Sequence, residues 1–119
     1  MSKKVLVFDD DTDILEVCIL ALESAGFEVK GLTNCDEVLN KLDEHQPDVI
    51  LLDNKIPDTG GIIASQIIKS SQQHKGIPVI FFSASSNVKK LAADALADFY
   101  IEKPFDLDAL IDLVKNATT

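Results

Sequence analysis

Tryptophan is absent from this 119-residue chain, tyrosine and methionine occur once each, and aromatic residues make up only 6% of it. Its core is therefore expected to be built from aliphatic side chains rather than stacked rings. Two cysteines are too few for a disulfide framework, and Cys18 and Cys35 lack the spacing of metal ligands. Cys18 falls on a helical apolar stripe and reads as a reduced, buried thiol. No apolar run approaches the length of a transmembrane helix, and the opening MSKKVLVFDD does not have the pattern of a signal peptide. The chain is expected to be cytoplasmic, without membrane contact. Basic residues are scarce, 11 against 20 acidic, giving a formal charge of −9. That balance argues against direct nucleic-acid binding and leaves a bound cation or a basic partner open. With no repeat, low-complexity tract or linker, residues 1–119 are expected to form one domain.

What is present is hydrophobic residues, at 46%, arranged as short strand-like runs alternating with helical periodicity. Residues 4–8 form a first strand. Ile14, Val17, Cys18, Ala21 and Leu22 give a helical face over 13–25, stopped by Gly26. FEVKGL (27–32) is a second strand, weakened by Gly31. Asn34 and Glu37 have capping-box spacing ahead of a helix carrying Cys35, Val38, Leu39 and Leu42. A third strand (48–52) leads through DNKIPDTGG to a helix with Ile63, Ala64, Ile67 and Ile68. IPVIFFS is a fourth strand, followed by a helix with Val88, Leu91, Ala92, Ala95 and Leu96 on one face. FYIEK is a fifth strand, before a helix with Leu107, Leu110, Ile111 and Val114. Five strands alternating with five helices predict an α/β fold: a three-layer, doubly wound, flavodoxin-like sandwich around a parallel sheet.

Ligands of such folds bind at the carboxyl ends of the strands, where the strand order reverses. Asp9, Asp10 and Asp11 follow the first strand, Asp53 the third, Ser83 the fourth and Lys103-Pro104 the fifth. With a strand order of 2-1-3-4-5, Asp9, Asp10 and Asp53 would meet at the switch point. Adjacent carboxylates disfavour each other's ionisation unless a cation sits among them. Oxygen-only ligands suit Mg²⁺, and Lys103 and Ser83 would add an ammonium and a hydroxyl. Such a set suits phosphoryl transfer, in which a carboxylate can itself be the nucleophile. Each residue alone has a plainer reading, Asp11 as a helix N-cap among them; their joint placement at strand ends is what points to chemistry.

VLVFDDD (5–11), ILLDNKIPDTGG (50–61), PVIFFSAS (78–85) and FYIEKPF (99–105) together resemble the receiver domain of two-component response regulators, over nearly the whole chain. The resemblance implies that Asp53 is the phosphoacceptor and that Asp9 and Asp10 hold Mg²⁺ together with Asp53 and the backbone carbonyl of Lys55. It implies that Ser83 and Lys103 contact the phosphoryl group, that the Lys103–Pro104 bond is cis, and that Tyr100 is the switch aromatic. Phosphorylation would draw Ser83 inward and remodel the surface of the fourth helix, fifth strand and fifth helix. A histidine kinase or histidine phosphotransfer protein would be the donor and a downstream protein the target. A phosphorylation-dependent dimer is compatible with this scheme. The chain is expected to be a stand-alone receiver that hydrolyses its own phosphoryl group slowly and is otherwise no enzyme. Two departures from the family pattern bear on the fourth helix. Leu96 stands where a helix-ending glycine is common, and the span from Ser83 to Lys103 is about two residues short. FDDDTD also resembles the start of haloacid dehalogenase-type phosphatases, with Asp9 as nucleophile and Asp11 as acid. Asp13 fits that motif poorly, the chain is short for that fold with a cap, and Asp53 is left without a role.

Overall fold

The computed structural model describes residues 3–54 and 60–118. Five parallel strands, β1 (Lys4–Phe8), β2 (Glu28–Leu32), β3 (Val49–Asp53), β4 (Val79–Ser83) and β5 (Phe99–Glu102), lie in the order β2-β1-β3-β4-β5. Helices α1 (Thr12–Ser24), α2 (Val38–His45), α3 (Gly61–Ser70), α4 (Val88–Asp94) and α5 (Leu107–Ala117) connect and cover them. This is the expected doubly wound α/β sandwich.

The strands alternate sides with a period of two, which sorts the interior into separate layers. Val5, Val7, Val49, Leu51, Ile80 and Phe82 pack with α1 and α5. Leu6, Phe8, Ile50, Leu52 and Val79 pack with α2 and α3, and Phe81 packs with α4. Strands β3 and β4 are buried at every position, which explains why their sequences read as unbroken apolar runs.

Several local expectations shift. In α1 the buried line is Leu15, Cys18 and Leu22, and Val17 is 46% exposed. Cys18 and Leu22 of the expected stripe are buried and Ile14 packs beside them, while Leu15 and Ile19 lie so close over Gly31 of β2 that a Cβ there would come within 3.2 Å and 3.0 Å of them. In α3, Ile63 and Ile67 face outward and the buried face is Ile68 with Gly61, Ala64 and Ser65, whose small side chains let the start of the helix approach the sheet. The Asn34–Glu37 capping box does not form. Asn34 accepts instead from the amide of Asp36, and Glu37 is itself the N-cap at φ 50°, its carboxylate accepting from Asn40. Helix α4 ends at Asp94, so Ala95 is its C-cap and Leu96 lies beyond it at φ 61°. Between Ser83 and Lys103 the chain forms this helix of seven residues and then β5.

Candidate functional site

The strand alternation decides what meets at the carboxyl end of the sheet. Asp53, at the end of β3, falls on the side occupied by Val49 and Leu51, and Asp9 continues the line of Val5 and Val7. Asp9 is held by its own amide, which donates to the Leu32 carbonyl at 3.0 Å. Asp9 and Asp53 are buried and Asp10 is exposed, yet all three place a carboxylate oxygen within 4.8 Å of one another. The predicted acidic cluster is therefore assembled by the fold.

Lys103 reaches into the cluster from the fifth strand's end. Its Nζ donates to Asp9 Oδ2 at 2.9 Å and to Asp53 Oδ1 at 3.0 Å, and it lies 4.5 Å from the centroid of the Phe82 ring. Its amide donates to the Ser83 carbonyl at 2.8 Å, and its bond to Pro104 is cis as expected. Burial pulls the ammonium down, but the hydrogen bonds and charges of Asp9 and Asp53 outweigh this and leave its pKa above the ordinary value. Asp9 is pushed up from the usual carboxylate range, chiefly by burial and also by the Asp53 charge. The Lys103 hydrogen bond and the Asp11 amide, donating at 2.9 Å, oppose that rise.

Asp11 is the N-cap of α1, accepting from the amides of Asp13 (2.9 Å) and Ile14 (3.3 Å). A carboxylate engaged in this way is poorly suited to act as an acid, which weighs against the phosphatase motif. Ser83 is buried at the end of β4, on the side of the sheet that faces α4. Its Oγ accepts from the amide of Ser85 at 3.1 Å. Tyr100 is paired in register with Phe81 and is 45% exposed. Lys55 lies outside the described residues.

One ammonium among three carboxylates leaves the cluster net negative, and the side-chain donors that the described residues bring to it are carboxylate oxygens. That chemistry fits a hard divalent cation such as Mg²⁺ better than zinc or another soft metal. Two contributors were not read from the sequence. Phe82, beneath the ammonium, looked like any strand residue in an apolar run. Gly61 opens α3 so close to the end of β3 that a Cβ there would overlap the Asp53 carbonyl; the Gly60-Gly61 pair was its only signal.

Comparison with known proteins bears on the same residues. The family model described as the response regulator receiver domain matches residues 5–115. The chain is 32% identical to the CAI-1 autoinducer sensor kinase/phosphatase CqsS of Vibrio cholerae, covering 95% of this chain and 17% of that protein. It is 35% identical to the DNA-binding transcriptional regulator NtrC of Proteus hauseri, over 97% of this chain and 24% of that one. To the phosphate regulon transcriptional regulatory protein PhoB of Escherichia coli it is 32% identical, over 97% and 51%. The chain thus spans at most about half the length of these relatives. Among solved structures, a putative response regulator from Chloroflexus aurantiacus superposes with a TM-score of 0.92 at 26% identity, covering 99% of this chain and 98% of that one. A CheY-like receiver domain protein from Methanospirillum hungatei gives 0.88 at 28% identity, covering 99% and 94%. The fold, the strand-end residues and the match over residues 5–115 lead to one conclusion: the chain belongs to the response regulator receiver domain family.

Proposed function

We propose that this chain is a single receiver domain that takes a phosphoryl group onto Asp53 from a phosphohistidine of a histidine kinase or phosphotransfer protein. Receiver domains serve phosphorylation-dependent signalling in two-component systems. The observation that carries the assignment to Asp53 is the Lys103 ammonium, bonded at once to Asp53 and Asp9 inside a buried carboxylate cluster. In the transfer, an Asp53 carboxylate oxygen forms a bond to phosphorus as the P–N bond to the donor imidazole breaks. The bonding pair stays on the imidazole nitrogen. Lys103 is placed to follow the phosphoryl oxygens while remaining tied to Asp9, and the Ser83 hydroxyl donates to one of them. Asp9, Asp10 and Asp53 would hold Mg²⁺, which when bound supplies positive charge against the transferring oxygens. Slow hydrolysis of the aspartyl phosphate resets the domain.

The readout is the turn of Ser83 toward the phosphoryl group, followed by Tyr100, which lies half exposed over the same side of the sheet. The surface of α4, β5 and α5 then differs between the two states, and a downstream protein distinguishes them.

Intact mass after incubation with acetyl phosphate tests the assignment. One base-labile phosphoryl group is expected on the wild type with Mg²⁺ and none on Asp53→Asn. Mass gain that persists in Asp53→Asn but disappears in Asp9→Asn would move the acceptor to Asp9. A wild type that never gains mass would make the chain an interaction module.

A further inference from the structure

Phe82 and Ser83 end β4 facing opposite sides of the sheet. Ser83 faces α4, whereas Phe82 faces α1 and α5, the side on which Asp9, Asp53 and Lys103 meet. Phe82 is fully buried and is the register partner of Asp53 on the neighbouring strand, with the Asn54 amide donating to its carbonyl at 3.3 Å. On its other flank it pairs with Ile101 of β5. The sheet thus fixes its backbone relative to the candidate acceptor. The ring of Phe105 meets it edge to face, with centroids 6.1 Å apart and planes at 71°, which fixes the plane of the Phe82 ring as well.

Over that ring lies the Lys103 ammonium, its nitrogen 4.5 Å from the centroid. The face of an aromatic ring carries negative potential and attracts a cation, more strongly where water is excluded. Water is largely excluded here: the Lys103 side chain is 13% exposed and Phe82 not at all. An ammonium has three protons. Two go to Asp9 and Asp53, at 2.9 and 3.0 Å, which leaves the third for the ring. These three partners behave differently when a phosphoryl group arrives. Asp53 gives an oxygen to phosphorus, and its negative charge passes to the phosphoryl oxygens. Asp9 would share its carboxylate with Mg²⁺, whose charge repels the ammonium. The ring neither reacts nor offers an oxygen to a metal. With Asp9 alone to hold it, the four-carbon stem of lysine regains rotamers that carry the ammonium away from the phosphoryl oxygens.

We propose that Phe82 is a positioning residue for phosphoryl transfer: its ring face holds the Lys103 ammonium beside Asp9 while that ammonium passes from Asp53 to the phosphoryl oxygens. This rests on Asp53 being the phosphoacceptor and deepens that reading by naming what keeps its cationic partner in place.

Mass gain from acetyl phosphate tests this on the full chain, with Phe82 replaced through stop-codon suppression by mono-, di- and trifluorinated phenylalanine. In this transfer an Asp53 oxygen bonds to phosphorus as the P–O bond to acetate breaks, and the bonding pair leaves on acetate. Fluorine drains the ring face while nearly keeping the ring's shape, so a side chain that only fills space does not respond. The initial rate with Mg²⁺ is expected to fall with each added fluorine, by about two- to thirtyfold over the series. The same series at Phe105, whose ring meets Phe82 rather than the ammonium, should keep the wild-type rate. Without metal, the NMR signals of the Lys103 ε-methylene protons give a second readout. Above the ring they lie upfield of those of the other lysines, and Phe82→Leu returns them to the ordinary position. A rate that ignores fluorine at Phe82, an equal fall in the Phe105 series, or Lys103 signals at the ordinary position in the wild type would overturn the role of the ring while leaving Asp53 as acceptor. No mass gain in the wild type, or mass gain undiminished in Asp53→Asn, would overturn the acceptor assignment and the role of the ring with it.

Discussion

At the scale of single residues, backbone conformation and side-chain identity disagree most clearly at Leu96. It sits at φ 61° with its side chain 55% exposed, so it strains the backbone and buries little. A non-glycine residue in the left-handed region costs about 1–2 kcal/mol, part of which glycine gives back through its freer unfolded chain. Leu96→Gly is expected to stabilise the domain by about 0.5–1 kcal/mol net, visible as a higher urea midpoint with an unchanged slope. A lower midpoint would mean that Leu96 makes a contact worth more than the strain. The sequence marked this position as unusual only through the resemblance. Helical periodicity placed Leu96 on the buried stripe of α4, because a pattern of apolar residues carries no record of where a helix stops. The same ambiguity shifted the buried line in α1 and turned Ile63 and Ile67 outward in α3, where Ile68 and the small residues Gly61, Ala64 and Ser65 take the sheet side.

At the scale of elements, the β3–α3 connection decides how the candidate acceptor is presented. Gly61 begins α3 directly against the Asp53 carbonyl, and its amide reaches the Asn54 carbonyl at 3.4 Å. A methyl group cannot be fitted there by rotating a flexible side chain, since the obstacle is backbone. Gly61→Ala is therefore expected to destabilise the fold by about 1–3 kcal/mol, the usual cost of overpacking, and to slow phosphoryl uptake from acetyl phosphate. Thermal unfolding and the rate of mass gain would read the two effects; a variant normal in both would mean that the loop has slack. The site itself was largely legible in the sequence because its members end strands, and strand ends in an alternating α/β chain converge whatever the loop details. The hydrogen bonds that fasten α4, such as that from the Gln66 side chain to the Asp94 carbonyl, were not legible. They depend on amides and carbonyls, which every sequence contains, and on the register of α3 against α4.

At the scale of the whole molecule, the pH dependence of stability follows from groups on both sides of the sheet. Burial pushes the Cys18 thiol up from 9.0 to about 11 and the Cys35 thiol from 9.0 to about 12, with smaller contributions from Asp9 and Asp36 respectively. Above pH 9 the unfolded chain releases these protons while the folded one keeps them. The native state then binds more protons, and stability falls as pH rises. Lys103 acts in the same direction, because its raised pKa gives a contribution that is complete below 10.5 and is lost as pH climbs through the folded value. Urea midpoints should therefore drop steeply between pH 9 and 11, with a slope approaching about 1.4 kcal/mol per pH unit for each thiol. Replacing both cysteines with alanine should flatten the profile, and an equally steep one in that variant would place the effect elsewhere.

The two-residue period of the strands also acts as an address. Asp9, Asp53 and Lys103 fall on one parity, toward α1 and α5, whereas Ser83 and Tyr100 fall on the other, toward α4. The sheet is a partition one peptide thick, with the two carboxylates and the ammonium on one side and the serine and tyrosine on the other. Adding or removing one residue inside β4 or β5 would deliver a side chain to the wrong room even if the fold survived. Length changes in this chain are therefore tolerable in the connections but not in the strands: α4 and its flanking turns can change length, whereas β4 and β5 must stay in step.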